Sequence, residues 1–510
     1  MTKRILCALL ATLMLLPIMV GCRKEEEPVD TEPTTEVVES QTETTLESES
    51  ETEKQHTLEL PEKDWGGREF VMMCRKARIH QYGYEEEVSF GATQLEKAIY
   101  TRNQTVETTY NVNLKYVSIA DNDGTGWGNG IINEVAKSVE AGSQTYDVVA
   151  PDSICNLETK GYFENLNALE YAHFDAPWWW EPWTEAFTIN GVQRTCNGWL
   201  SLEVVESLPV VYFNTQIMSG LETGYDTIYD AVYAGEWTID LMIQLSKDAT
   251  YNVEWSGIPD TTGALSDDYC HGTILHVNGL RAMLYSLGYR TTLYEDDGSI
   301  YLDYSTTKNQ DVIDKLKGWI VNNPEVFYCS YNTTYGHGLG QNETPKVSAG
   351  YFTSGHALFY NMSLQSAALI AGAGMDFGVL PQPTMTEGEV GSTHTLGNTC
   401  FAIERQRTDD QKQFGLFILE ALCYYNYTDV KPVYYEKTLK LQRAGADKEA
   451  GDMIDLAVNN AYIDVLCVAE RVTPALDAAI FQGTSLSQLW ISNGTKYQDA
   501  LTKWVDGYLK

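Results

Sequence analysis

The sequence predicts an α/β fold spread over more than one domain, and three observations carry that expectation. From Arg68 to Ala150, apolar runs of strand length alternate with amphipathic helical stretches, the order that starts an open sheet covered by helices. The chain has 510 residues, enough for two or three domains with ample core. Residues 204–214 read as one extended run, longer than the usual strand of about 5–6 residues, as expected where a strand passes between domains.

The elements follow in order. Residues 68–74, with Phe70 to Cys74 apolar in succession, form a buried strand. Residues 91–110 form a helix with Leu95, Ile99, Arg102 and Val106 along one face. Residues 112–117 alternate as a strand, 131–141 form a helix, and 146–150 a short apolar strand. Ligands of such sheets bind outside the carboxyl ends of the strands, which makes Pro151-Asp152-Ser153 a candidate binding loop. Asp152 has the alternative of capping the helix after it. Asp121 to Gly126 resembles half of a calcium loop, but Ile132 stands where the bidentate Glu belongs. A glycine-rich loop, with no metal, is expected there.

Two stretches are dense in aromatics, one holding Trp178, Trp179, Trp180 and Trp183, the other Trp199. Helices are expected at 225–235 and 238–250, the second capped by Thr238 with Asp240 in its first turn. A hairpin turns at Asp297-Gly298. Residues 308–321 read as helix, 355–360 as strand, 362–370 as helix, and 377–383 and 399–403 as extended. Beyond them the chain is mostly helical, with apolar faces at 411–425, 453–458 and 486–508.

Composition narrows the function. Formal net charge is −36, and the stretch from Arg23 to Lys54 holds 12 acids against 3 bases, so the remaining body is acidic too. Nucleic acid and anionic lipid surfaces need clustered Lys and Arg, and this chain excludes them as ligands. Of the 10 cysteines, none forms a CxxC pair or a His-spaced cluster, and several sit in apolar runs that suit buried free thiols. The chain has 32 Tyr and 12 Trp against 14 Phe. These residues offer flat faces with polar edges, suited to a pyranose with its apolar disc and rim of hydroxyls. Motifs of metalloproteases, serine hydrolases, P-loop and dinucleotide-binding enzymes are absent. No catalytic residue and no cofactor is expected.

The N-terminus is organised for export. Lys3 and Arg4 precede an apolar run at 5–16 that is too short to span a bilayer. Val20-Gly21-Cys22 resembles a bacterial lipobox, which implies cleavage and lipidation at Cys22; an ordinary signal peptide with a chance cysteine is the alternative. Residues 23–63 read as an acidic tether, since the segment through Lys54 lacks aromatics and cannot offset its ordering entropy by burial.

The order of motifs resembles the bacterial family 1 extracellular solute-binding proteins, the lipoproteins that feed carbohydrate ABC importers. Arg102-Asn103, Tyr146-Asp147-Val148-Val149, Gly161-Tyr162-Phe163-Glu164-Asn165-Leu166 and Asp175-Ala176-Pro177-Trp178-Trp179 carry the first part of the resemblance. Val211-Tyr212-Phe213-Asn214, Gly235-Glu236-Trp237-Thr238, Ser354-Gly355-His356-Ala357-Leu358-Phe359, Phe377-Gly378-Val379-Leu380-Pro381 and Phe401-Ala402-Ile403 complete it. The resemblance implies a two-lobe clamshell of the type II periplasmic-binding-protein-like class. Its first lobe would take 64–205 and 399–462, its second 206–398, and residues 463–510 would add to the second lobe or the hinge. It also implies a monomer on the outer face of the cell membrane, a carbohydrate in the cleft and ABC permease subunits as partners.

By resemblance to the maltodextrin-binding branch, the ligand-contacting acids map to Asp152 and Glu206, and the loop after the second lobe's strand to Tyr360-Asn361. Trp178, Trp179 and Trp199 are the candidate stacking rings. Core packing is the competing reading for each Trp, a solvated strand position for Glu206, a structural role for Trp237 and a surface position for His394. A surface glycan hydrolase and a non-transporting sugar sensor or adhesin remain as alternatives.

Overall fold

The structure is a computed structural model that describes residues 57–83, 92–120, 129–152, 160–222, 225–252, 269–295, 299–321, 323–330, 337–338, 344–389, 391, 393–394, 399–434, 448–465 and 474–510. Cys22 and its signal, the tether as far as His56, the Asp121–Gly126 loop and the Asp297-Gly298 turn lie outside the described residues.

The N-terminal part builds a small parallel sheet from β1 (Arg68–Arg75), β2 (Val112–Ile119) and β3 (Val148–Ala150), in the order β2-β1-β3. Flanked on both sides, β1 buries its last six residues, which explains its unbroken apolar run. At the edge, β2 alternates more and less buried positions from Val112 to Tyr116. Helix α1 (Gln94–Tyr110) starts at a capping box in which Thr93 and Glu96 satisfy each other's backbone N–H groups. Its buried stripe is Ile99, Arg102, Val106 and Tyr110. Helix α2 (Asn129–Ala141) links β2 to β3.

Residues 204–214 are not one strand. A single helical turn, α3 (Glu203–Glu206), precedes β4 (Pro209–Asn214). Ser207 and Leu208 donate back to Glu203 and Val205, so the backbone bonds of this stretch are used locally before pairing begins.

The second sheet has 7 strands: β4, β5 (Tyr251–Asn252), β6 (Tyr269–His276), β7 (Val326–Ser330), β8 (His337–Gly338), β9 (Ala357–Ser363) and β10 (Phe377–Leu380). Its order is β8-β7-β6-β9-β4-β10, with β5 beside β6. Strands β6 to β9 run parallel where they pair, and β4 lies antiparallel to both β9 and β10. The hairpin strands Thr292–Tyr294 and Ile300–Leu302 pair as the sequence predicts. The Thr238 cap accepts from Leu241 N–H at 3.3 Å.

Residues 399–404 then return to the small sheet through antiparallel bridges to Asp152, Val149, Cys196 and Phe163. Helix α4 (Asp409–Tyr425) packs on β3 and α1, followed by a wider π turn at Asn426–Val430, the short α5 (Lys431–Tyr434) and α6 (Lys448–Asn459), which lies on β10. The last helix, α7 (Leu486–Leu509), sends Tyr508 to accept from Arg194 N–H and to donate to the Phe187 carbonyl.

The small sheet has one hydrophobic core on the face of Phe70, Met72 and Cys74 and a smaller one on the face of Val71 and Met73, and the largest core surrounds the second sheet. Cys74, Cys196, Cys270, Cys329, Cys400 and Cys423 are all buried, as the apolar runs around Cys74 and Cys423 predict for those two.

Candidate functional site

The two aromatic stretches pair with each other. Trp179 and Gly198 form an antiparallel bridge, with Trp199 N–H donating to the Trp178 carbonyl and Trp180 N–H to that of Asn197, each at 2.9 Å. A Cβ on Gly198 would meet the Trp178 carbonyl oxygen at 2.6 Å, so the approach requires glycine. The pairing splits the tryptophans between two cores: Trp178 and Trp179 join that of the small sheet, Trp180, Trp183 and Trp199 that of the large one.

A cavity of about 540 Å³ opens at this seam. Phe174, Trp179, Trp180, Trp199 and Tyr427 supply aromatic surface, Asp175, Glu181, Asp455, Asn459 and Lys431 the polar groups. Asp455, Val458 and Asn459 come from α6, which packs on the large sheet. The Lys431 ammonium sits 4.5 Å from the Trp199 ring centre and 4.3 Å from that of Tyr427.

The backing of this wall explains Arg102-Asn103. Arg102 is fully buried in α1 and donates to the Tyr82 carbonyl and to Asn426 Oδ1. The Asn426 amide in turn donates to the Trp199 carbonyl. One buried guanidinium therefore ties the first helix to the π turn and to the cavity's ring.

Asp152 and Glu206 meet elsewhere, in a buried ion network past the carboxyl end of β1. Arg75 pairs with Asp152 at 3.0 Å and approaches Glu203 at 3.7 Å. Arg78 pairs with Glu203 at 2.5 Å and lies 3.5 Å from Glu206. Thr399 donates to Glu203 through its backbone N–H at 2.9 Å and through its hydroxyl. Tyr434 donates to Glu206 at 3.0 Å. Helix α5 joins the two places, with Lys431 on the cavity and Tyr434 on the network.

The other candidates fall differently. Trp178 does not line the cavity; it is buried, packed edge-on against Tyr424, and donates to Glu420 at 2.7 Å. Tyr360 and Asn361 lie inside β9, not in a loop after it, because β9 continues to Ser363. Tyr360 bonds Ser348 at 3.1 Å, and Asn361 exchanges two amide bonds with Gln382 at 2.9 and 3.1 Å. Both are fully buried. Trp237 is structural, donating to the Pro381 carbonyl at 2.9 Å. His394 belongs to a short strand paired with Ala461–Tyr462.

Sequence reasoning missed Arg75, Arg78, Glu203, Tyr427, Lys431 and Asp455. The rule that placed Asp152 past β3 applies equally past β1, where Arg75 and Arg78 stand. Tyr427, Lys431 and Asp455 carry no local signal, since they are brought in by helices from late in the chain.

Behind the wall, His173 Nδ1 stands 3.5 Å from Glu420 Oε1. The approach of that carboxylate raises the imidazole pKa above its ordinary 6.5, with Glu59 and Asp175 adding to it. Burial raises that of Glu420, near Cys196 and Cys423. Both groups therefore hold protons more tightly folded than unfolded, and their stabilisation is lost as pH rises through the raised values. Melting temperature is expected to fall as pH rises past 6.5 on His173's account. His173→Gln should flatten that slope, and an unchanged slope contradicts the assignment.

No protein-family model matches the chain, and no curated protein matches it in sequence. Solved structures do match in fold. The cyclic α-maltosyl-1,6-maltose binding protein from Arthrobacter globiformis aligns with a TM-score of 0.53 over 86% of this chain and 100% of its own, at 11% identity. UgpB from Mycobacterium tuberculosis, in complex with glycerophosphocholine, gives 0.52 over 86% and 99%, at 12% identity. A cyclo/maltodextrin-binding protein complexed with maltotetraose gives 0.51 over 85% and 97%, at 12% identity. Two main sheets with separate cores and these likenesses agree: the chain has the two-lobe, type II periplasmic-binding-protein-like α/β fold, and the resemblance read from its sequence holds at the level of fold.

Proposed function

We propose that this protein is an extracellular solute-binding lipoprotein that captures a carbohydrate of oligosaccharide size and passes it to the permease subunits of an ABC importer. In this reading it is a monomer, held at the outer face of the cell membrane by lipidated Cys22, and it releases its ligand unaltered. Residues 64–205 and 399–434 then make the first lobe and 206–398 the second, and α6, expected with the first lobe, goes with the second because it lies on β10 and buries Met453, Ile454 and Ala457 in the core of the large sheet. Among the described residues no helix is long and apolar enough to cross a membrane.

The observation that carries the reading is the aromatic cavity at the seam of the two cores. Its volume lies within the range of small-molecule sites. Trp179 and Trp199, although only 3% and 6% exposed, border the cavity with aromatic surface for the apolar disc of a pyranose, and Asp175, Glu181 and Asp455 offer acceptors for its hydroxyls. A ligand bridging Trp179 and Asp455 contacts groups backed by both sheets and so favours the closed arrangement. The maltosaccharide-binding proteins of the same fold support this choice of ligand class. Asp152 and Glu206, tied to Arg75, Arg78 and Tyr434, hold the junction beside the cavity.

A thermal-shift panel of maltotetraose, cellotetraose, xylotetraose and chitotetraose tests the reading. A true ligand at about 100 times its dissociation constant adds about 2.7 kcal/mol of stability. Asp455→Asn, at the half-buried rim, is expected to weaken binding about tenfold with the fold intact. Recovery of a cleaved saccharide favours the hydrolase instead, and no shift with any saccharide overturns the reading.

A further inference from the structure

Glu420 on α4 is fully buried, and its carboxylate accepts from two consecutive indoles, Trp178 Nε1 at 2.7 Å and Trp179 Nε1 at 2.9 Å. Trp178 lies in a turn closed by Trp179 N–H donating to the Ala176 carbonyl at 3.0 Å, which brings the two neighbouring indoles to the same side. Gathering both N–H groups on one carboxylate therefore fixes both rings at once. The two rings do different things: Trp178 packs against Tyr424, while Trp179 borders the cavity with Phe174 edge-on at 5.0 Å.

We propose that Glu420 is a positioning residue that sets the plane Trp179 presents to a sugar ring; this rests on the reading that the cavity is the sugar site. The physical reason is an asymmetry between the two indoles. A buried N–H without an acceptor is costly. Trp179 has an escape from that cost, because turning its ring into the cavity gives its N–H to water. Trp178, away from the cavity, has none. Trp179 is itself only 3% exposed, and the buried acceptor thus keeps its N–H pointed inward and its ring seated in the cavity wall.

Two double variants isolate that acceptor from packing and charge. Both carry Trp178→Phe, which removes the competing donor. Glu420→Gln leaves one amide oxygen for Trp179, and Glu420→Leu leaves none. With the saccharide giving the largest shift in the panel above, Trp178→Phe/Glu420→Gln is expected to bind close to Trp178→Phe alone. Trp178→Phe/Glu420→Leu should bind about tenfold more weakly. Equal affinities overturn the proposal. If the leucine variant does not fold, the unmodified chain still decides. Its Trp179 indole proton, although beside the cavity, should exchange slowly with deuterium in NMR, and prompt exchange overturns the clamp. If no saccharide of the panel binds the unmodified chain, the sugar reading falls and this role with it, an outcome distinct from equal affinities in the two variants.

Discussion

An Arg75→Met chain is expected to lose about 3 kcal/mol of folding stability. Arg75 is 4% exposed and stands between two carboxylates, Asp152 at 3.0 Å and Glu203 at 3.7 Å. Met keeps much of the volume, so the loss comes from charge rather than from a cavity. Breaking a buried pair from one side costs about 3–5 kcal/mol, because the remaining ion stays desolvated without its partner. The lower end applies, since Arg78 still serves Glu203 and Thr399 still donates to it. Adding Asp152→Asn to Arg75→Met removes the orphaned charge and should recover most of the loss. Urea unfolding of the single and double variants measures both, and a double variant no more stable than the single would show that packing, not charge, was responsible.

Trp178→Ala is expected to cost about 3–5 kcal/mol, the usual penalty for emptying a buried tryptophan site. Its ring is 3% exposed, packs edge-on against Tyr424 at 5.1 Å and satisfies Glu420 Oε1. The truncation leaves a void and a buried oxygen short of a donor. Trp178→Phe keeps most of the ring and gives up the bond alone, so its cost should be nearer 1.5–3 kcal/mol, roughly that of a hydrogen bond to a charged group. Chemical denaturation checks the order of the two. A Trp178→Ala chain as stable as the unmodified one would place that ring outside the core.

Much of the architecture was legible because it is local. The unbroken apolar run of β1, the alternation of β2 and the stripe on α1 each follow from how many faces an element buries. The errors share a cause as well. Residues 204–214 are mostly apolar, and such a run cannot by itself distinguish a buried helical turn from a strand; in the turn Glu203–Glu206 the two acids meet Arg75 and Arg78. The resemblance to the maltodextrin-binding branch sets Tyr360 and Asn361 in a loop after the strand, but β9 runs on to Ser363. Ser348 and Gln382, distant in sequence, satisfy them within the sheet.

What the sequence by itself determined is the class of fold and the residue types on offer: alternating strands and helices, an acidic body, and tryptophans in two clusters. Periodicity and composition suffice for that, since each reflects the nearest neighbours along the chain. Only the tertiary structure decided which of those tryptophans face the cavity. Adjacent Trp178 and Trp179 share one carboxylate, yet one ring packs on Tyr424 and the other borders the cavity beside Lys431 and Asp455. Exposure of a side chain is set by what the rest of the chain lays against it, and here those groups come from helices more than 200 residues further on.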